Sequence, residues 1–423
     1  MEIKLAGNLK METDIPILRV VSFHYCWKPD CHALLKLEGY IDRSFLWDPG
    51  QSYSSRVKVW LESDGKIQTI YHGYIVDAEI KNVGNTSQLF LEAMSASCLL
   101  DRQISSRSFL DPAKTYGEVV REAVQAEGGQ VIRNQGSDKK TGSPVIRYEE
   151  TAWQFVERLG RRLGNYIIPD IETGYPNLWF GMRKGNDVPA LSEEQCTVEI
   201  CSIGSKAGIR FQAEGRNYYK IGDQMTYLEQ NVIIVEVKGS YEHGELVFTY
   251  TLEIMEVCQT GTQHMNHPAG LGLWGSIREI KGESVKIALD IDQGMDTGDY
   301  FFPWYPETGN ALYAMPEVGA RALLYFFGAD EQEGAVIHCL NREQEEVRSY
   351  KDRAMDIEDG NSISLSRETV RFSRGGSHRL SLSDHAVTIS TSKEMKIAAE
   401  GKVRLKARQI TISTPDELNI CQG

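Results

Sequence analysis

Ile363-Ser364-Leu365, Val370-Arg371-Phe372, Leu380-Ser381-Leu382, Val387-Thr388-Ile389, Met395-Lys396-Ile397, Val403-Arg404-Leu405, Ile410-Thr411-Ile412 and Leu418-Asn419-Ile420 run through the last part of the sequence. Each triplet reads apolar, polar, apolar, the alternation of a half-buried strand. Their first residues are 7, 10, 7, 8, 8, 7 and 8 apart, a period close to eight that signals a repeat architecture. Eight residues allow one strand and one turn. Each strand then offers two inward apolar side chains, and one chain alone makes a ribbon with open edges and half a core. Three chains wound about a common axis close the edges and share the core. The first and third residues of every triplet are therefore the expected inter-subunit core of an intertwined triple-stranded β-helix, or β-prism, spanning 346–423. The alternatives are a flat hairpin meander and one face of a single-chain solenoid, but a solenoid coil needs about twenty or more residues. Eight strands stacked at about 4.8 Å make a rod on the order of 40 Å long. Lys393, Lys396, Lys402, Arg404, Lys406 and Arg408 place a basic band toward its end, a solvated face or a dock for a separate tip protein or cargo.

Working back from the repeat, residues 271–345 hold short strand patterns at 275–280, 284–291, 320–327 and 335–340, which suit a small Greek-key barrel of the OB type. Such barrels often bind single-stranded nucleic acid through a basic aromatic groove. The stretch from Glu283 to Asp299 is mostly acidic, so a structural barrel is expected. Residues 256–270 are polar and contain Pro268, as a linker would.

The region 1–255 reads as α+β, two β subdomains with helices near 115–128 and 151–164. Val57, Val59 and Leu61 alternate as in a strand, and Val232–Val237 and Glu245–Leu252 resume the pattern. Thr115-Tyr116-Gly117-Glu118 and Thr151-Ala152-Trp153-Gln154 are capping-box starts, each followed by apolar residues on one helical face and then by glycine, Gly128 and Gly164.

Composition narrows the function classes. With 46 Lys and Arg against 59 Asp and Glu the net charge is -13, which argues against nucleic acid as a partner. No charged and then apolar leader opens the sequence, and no run approaches the roughly 18 apolar residues of a membrane span. The expectation is synthesis and assembly in the cytoplasm. Eight cysteines spread over 423 residues are no disulfide framework. His24, Cys26, Cys31 and His32, and separately Cys196 with Cys201, are the candidate metal groupings, but neither set has zinc-knuckle spacing. His264 and His267 are too few ligands by themselves. No cofactor is expected.

Two further segments resemble a known family. Tyr148-Glu149-Glu150-Thr151-Ala152-Trp153-Gln154-Phe155-Val156-Glu157-Arg158-Leu159 is similar to the "Y-x-E-T-x-x-x-F-x-x-R-L" helix start of the VgrG spike proteins of type VI secretion and of contractile phage tail hubs and spikes. Phe301-Phe302-Pro303-Trp304 and Met315-Pro316-Glu317-Val318-Gly319-Ala320-Arg321-Ala322-Leu323-Leu324-Tyr325-Phe326 resemble that family's barrel, with its "MP-x-x-G-x-x-V-x-V-x-F" run. With the repeat, the resemblance covers nearly the whole chain. It implies a homotrimeric hub and spike that adapts a threefold spike to a sixfold tail tube. The implied partners are the tube protein, baseplate proteins and a tip (PAAR-like) protein or effector, with transient contact to a target membrane or envelope. The implied work is puncturing rather than catalysis, and the particle carries the protein out of the cell or into a target. The sequence ends at Gly423 directly after the repeat, and no lysozyme-like insertion separates barrel from repeat. Both features fit a spike without an enzymatic payload.

The competing class is a trimeric tailspike that degrades glycans, which needs two carboxylates about 5–9.5 Å apart. Asp290, Asp292, Asp296 and Asp299 are the candidates, and a charged loop is the plainer reading of them. No G-x-S-x-G, H-E-x-x-H or P-loop pattern occurs. An adhesin would carry exposed aromatic residues at the tip, and none follows Met395.

Overall fold

The computed structural model describes residues 2–45, 55–63, 65–133, 137–193, 196–203, 206–254, 268–306, 314–340, 352–357 and 360–420. Most of the expected linker, with His264 and His267, lies outside these residues. The chain falls into two compact units, Met1–Arg342 and Glu343–Gly423. No helix among the described residues is long and apolar enough to cross a membrane.

In the first unit, alternating apolar residues from both halves of the N-terminal region build one antiparallel sheet of twelve strands. One lobe runs in the order Glu2–Lys4, Leu9–Thr13, Arg56–Ser63, Lys66–Val83, Thr86–Ser95, Leu34–Ile41 and Ile17–Trp27. The second continues it through Gln230–Glu242, Glu245–Ile254, Lys206–Gly215 and Cys196–Ile203, with Gln224–Tyr227 paired to the side. The seam pairs Trp27 with Val237 and Phe23 with Tyr241, whose rings stack at 5.4 Å. Gly239 is required there: a Cβ would stand 2.2 Å from the Tyr25 ring that lies across it. Among the described residues Glu2–Lys4 and Cys196–Ile203 are the outermost strands of this sheet.

Helices α1 (Tyr116–Gln125) and α2 (Ala152–Leu163) both start at complete capping boxes. Thr115 Oγ1 accepts the Glu118 amide at 3.2 Å while Glu118 accepts the Thr115 amide at 2.8 Å, and Thr151 with Gln154 does the same at 3.1 and 3.0 Å. Their apolar faces, Val119, Val120, Ala123 and Val124 against Phe155, Val156 and Leu159, share a core separate from that of the large sheet. Gly164 ends α2 in the left-handed conformation.

The barrel strands are Gly272–Lys281, Ser284–Leu289, Phe302–Pro303, Arg321–Phe326 and Gly334–Leu340. In sequence order they lie third, second, first, fourth, fifth, and a parallel bridge from Trp304 to Val336 joins the third to the fifth. That closure is the five-stranded OB topology. The barrel is not self-contained: Ile146, from the antiparallel strand pair Ser105–Phe109 and Val145–Glu150, and Leu110, which follows the first of these strands, sit in its core beside Leu273, Ile277 and Phe326.

In the second unit, Arg353–Ile357, Asn361–Leu365, Thr369–Arg374, His378–Ser383 and Val387–Thr391 form an antiparallel meander. Four of the eight triplets lie in it. The four from Met395 to Ile420 are in no strand of the single chain. Local chemistry separates the two sets. Ser366 and Ser383 each accept the amide three residues on through Oγ, at 3.1 Å, and Gly375 and Gly376 take positive φ, so three hairpins close.

Candidate assembly interface

The register of the meander sorts its residues into two faces. Met355, Ile363, Phe372, Leu380 and Ile389 lie directly opposite one another along one row, and Leu365, Val370, Leu382 and Val387 along the next. Both rows share a face, because residues paired across an antiparallel ladder point the same way. The other face carries Ser364, Arg371, Ser381 and Thr388 in one row and Ser362, Ser373, Arg379 and Ser390 in another. A sheet of this polarity belongs against a second apolar surface, yet Phe372 is 42% exposed, Ile389 60% and Val387 69%. Met395, Ile397, Val403, Leu405, Ile410, Ile412, Leu418 and Ile420 are exposed as well. Every described apolar position of the repeat is at best partly covered. So long an apolar face exceeds what monomeric soluble proteins leave in water.

The family-like helix start is also a joint, a role that its sequence did not disclose. Arg158, buried on α2, donates to both carboxylate oxygens of Glu150 at 2.8 Å, to the Ile146 carbonyl at 2.6 Å and to Glu331 of the barrel at 3.2 Å. Arg162, one helical turn on, reaches the other Glu331 oxygen at 2.7 Å. A second contact ties the same strand pair to the barrel: Asp292 accepts the Ser108 amide at 2.7 Å and its hydroxyl at 2.6 Å. Burial raises the Asp292 carboxyl above the ordinary range, and the Ser108 bonds offset part of that.

The acidic candidates are engaged in hydrogen bonds and ion pairs. Asp290 holds Arg321 by two bonds, at 2.8 and 2.7 Å, Asp299 pairs with Lys286, and Asp296 accepts the Gly298 amide at 3.2 Å. Each has a structural partner. The cysteine and histidine grouping is likewise dispersed. His24 meets Glu242 at 3.0 Å, the Cys26 thiol faces Glu236 at 3.4 Å and Cys31 faces the Lys28 carbonyl at 3.8 Å. Burial, and then the Glu236 carboxylate, push the Cys26 thiol up to about 11, which disfavours the thiolate that a metal needs. Among the described residues no group of three or more metal-ligating side chains comes together.

His32 sits in a hydroxyl–imidazole–carboxylate chain. Its Nε2 lies 2.8 Å from Asp101 and its Nδ1 2.8 Å from Ser97 Oγ. Asp101 can only accept, so Nε2 donates to it. Ser97 in turn meets Ser95 at 2.8 Å, and Ser95 accepts the Ala33 amide at 3.0 Å. Ser97 is wholly buried and presents no face to a substrate. Asp101 also accepts from the Thr151 hydroxyl, and His32 packs on Trp153 at 4.3 Å, so the chain pins the start of α2 to the first lobe.

No protein-family model matches the sequence, and no curated protein matches it. Solved structures do resemble the fold. A chain of the PdpA–VgrG complex in its lidless form aligns with 92% of this chain and 99% of its own length, at a TM-score of 0.59 and 8% identity. The lidded Francisella PdpA–VgrG complex gives 0.58 at 8% identity, over 92% of this chain and 81% of its own. The E. coli c3393 protein is described as a component of the type VI secretion system with structural similarity to the T4 bacteriophage tail proteins gp27 and gp5. It aligns with 77% of this chain and 98% of its own at 0.57 and 13% identity. At these identities the likeness is one of fold.

Proposed function

We propose that this chain, whose fold is that of the VgrG-like spikes, acts as the homotrimeric hub and spike at the tip of a contractile injection system's tail tube. Three copies set their two-lobed sheets in a ring on the tube and their barrels in a collar. Their C-terminal strands wind into a prism that punctures the target envelope and carries a tip protein or effector.

One observation carries this reading: the apolar face of the C-terminal unit. Covering Leu, Ile, Val and Phe side chains contributes about 1.5–3 kcal/mol each when burial is complete, and roughly half that where a side chain starts half covered. The inward positions from Ile363 to Ile420 thus favour association strongly, and the period near eight suits intertwined chains. The outermost strands Glu2–Lys4 and Cys196–Ile203, which have no further partner strand among the described residues, support a ring of copies, since an unpaired strand edge is a template for a further strand. Val198 and Ile200 are largely exposed on the second of these edges. The work is mechanical, a reading supported by the separate structural partners of the four aspartates. Assembly takes place in the cytoplasm, and contraction delivers the spike outward.

Light scattering on the purified chain tests the assembly. A mass three times the 47.6 kDa of one chain is expected, with threefold particles by electron microscopy, and a stable monomer at high concentration overturns the reading.

A further inference from the structure

By register the apolar face ends in Arg353, opposite Leu365, and Arg374, opposite His378, while the polar face sets two arginines in its middle rows. On the polar face, Arg371 lies opposite Ser364 and Ser381, and Arg379 lies opposite Ser373 and Ser390. Arg371 and Arg379 occupy adjacent strands two positions out of register, a diagonal separation of about 7–8 Å. Both are exposed, and among the described residues neither has an ion pair. Serines rather than carboxylates stand opposite both on the neighbouring strands, so an anion lying across the pair would meet two cations and the hydroxyls beside them.

The pattern extends along the repeat. The middle residues of the eight triplets are Ser364, Arg371, Ser381, Thr388, Lys396, Arg404, Thr411 and Asn419, three basic and none acidic. Residues 361–420 hold 10 Lys and Arg against 6 Asp and Glu, a net +4, while the whole chain is at -13, so the remainder carries -17. An anionic surface attracts the one part and repels the other.

We propose that the polar face of the spike binds the phosphate-bearing headgroups of anionic lipids. The inference rests on the assembly above, in which the apolar face turns inward, leaves this face outward and triples its charge. Guanidinium forks pair with phosphate oxygens in two-bond geometry, and serine and threonine hydroxyls donate to the same oxygens. Each cationic side chain near an anionic bilayer strengthens binding by about fivefold at moderate salt.

Cosedimentation of the full chain tests this, using vesicles of phosphatidylcholine with phosphatidylglycerol and vesicles of phosphatidylcholine alone. The chain is expected on the anionic vesicles only, and to be released as salt rises from about 0.1 M to about 1 M, which shortens the screening length from about 10 to about 3 Å. The double variant Arg371→Ser, Arg379→Ser should bind at least tenfold more weakly. Equal binding to both vesicles, or an unchanged double variant, overturns the inference, as does binding to duplex DNA with no binding to vesicles. Light scattering on the same samples separates the two readings. A trimer that ignores anionic vesicles overturns the lipid inference alone, and a monomer overturns the assembly.

Discussion

Phe372 lies directly opposite Leu380 in the ladder of the C-terminal sheet, with Ile363 and Ile389 continuing the row on either side. Phe372 is the one aromatic residue among the sixteen apolar triplet positions of the repeat, so its layer is the widest that three chains would have to share.

A charge there should abolish assembly without unfolding the rest. Phe372→Asp places a carboxylate where the trimer would be dry, at a cost of several kcal/mol for each chain, yet the same position is partly open in the single chain. Light scattering should show monomer. Tryptophan fluorescence should report an unchanged urea midpoint for the first unit, which contains all seven tryptophans. Ser364→Asp, on the opposite face, should remain trimeric.

The joint between hub and barrel should behave as a coupled unit. Glu331 is almost wholly buried between Arg158 and Arg162, and removing one member of a buried ion pair leaves a charge uncompensated. Glu331→Ala is expected to destabilise the first unit by about 3 kcal/mol, and Arg158→Ala by a similar amount. A double-mutant cycle followed by urea unfolding should give a coupling energy of at least about 1 kcal/mol. Additive effects would mean that the two residues act separately.

That joint also shows where the sequence stops being informative. Capping boxes are local, with donor and acceptor three residues apart, and both helix starts could be read at sight. The two-residue alternation and the period of the repeat expose the C-terminal apolar face in the same way. Arg158 and Glu331 are 173 residues apart, and the seam that joins the lobes pairs Phe23 with Tyr241. Nothing in either segment names its partner. The closure of the barrel by Trp304 on Val336, and the insertion of Leu110 and Ile146 into its core, likewise depend on tertiary packing that no local pattern encodes. In the repeat, hairpins with serine or paired-glycine turns form within one chain. The triplets beyond Ser392 lack those turns and find no partner strand in it.

Acid should weaken the staple at the start of α2. Burial works against the Asp101 charge, but hydrogen bonds from His32 and Thr151 outweigh it and hold the carboxyl below the usual range. As pH falls past about 4, the unfolded chain takes up this proton before the folded one does, so the stabilisation present above that pH is lost as pH drops through the folded value. The pair is partly exposed, which limits the contribution to about 1 kcal/mol. Asp101→Asn should lower the urea midpoint near neutral pH and flatten its decline between about pH 4 and pH 2. An equally steep decline in the variant would assign the acid sensitivity to other carboxylates.

Gly298 should tolerate no side chain. It takes a φ of +125°, and a Cβ there would stand 2.3 Å from the Asp111 amide nitrogen and 2.5 Å from the Leu110 carbonyl carbon. The obstruction is backbone, in the segment whose Leu110 amide donates to the Thr297 carbonyl at 2.7 Å. Gly298→Ala must therefore either move the Leu110–Asp111 segment, whose Leu110 side chain fills the barrel core, or strain its own loop, at a cost of about 2 kcal/mol or more. Gly282 offers the comparison, since it also has positive φ but, among the described residues other than its chain neighbours, no atom within 4 Å of where a Cβ would stand. Gly282→Ala should cost about 1 kcal/mol from conformation alone. Urea unfolding of the two variants separates steric exclusion from backbone preference: equal losses would mean that the close approach of the Leu110–Asp111 segment contributes nothing.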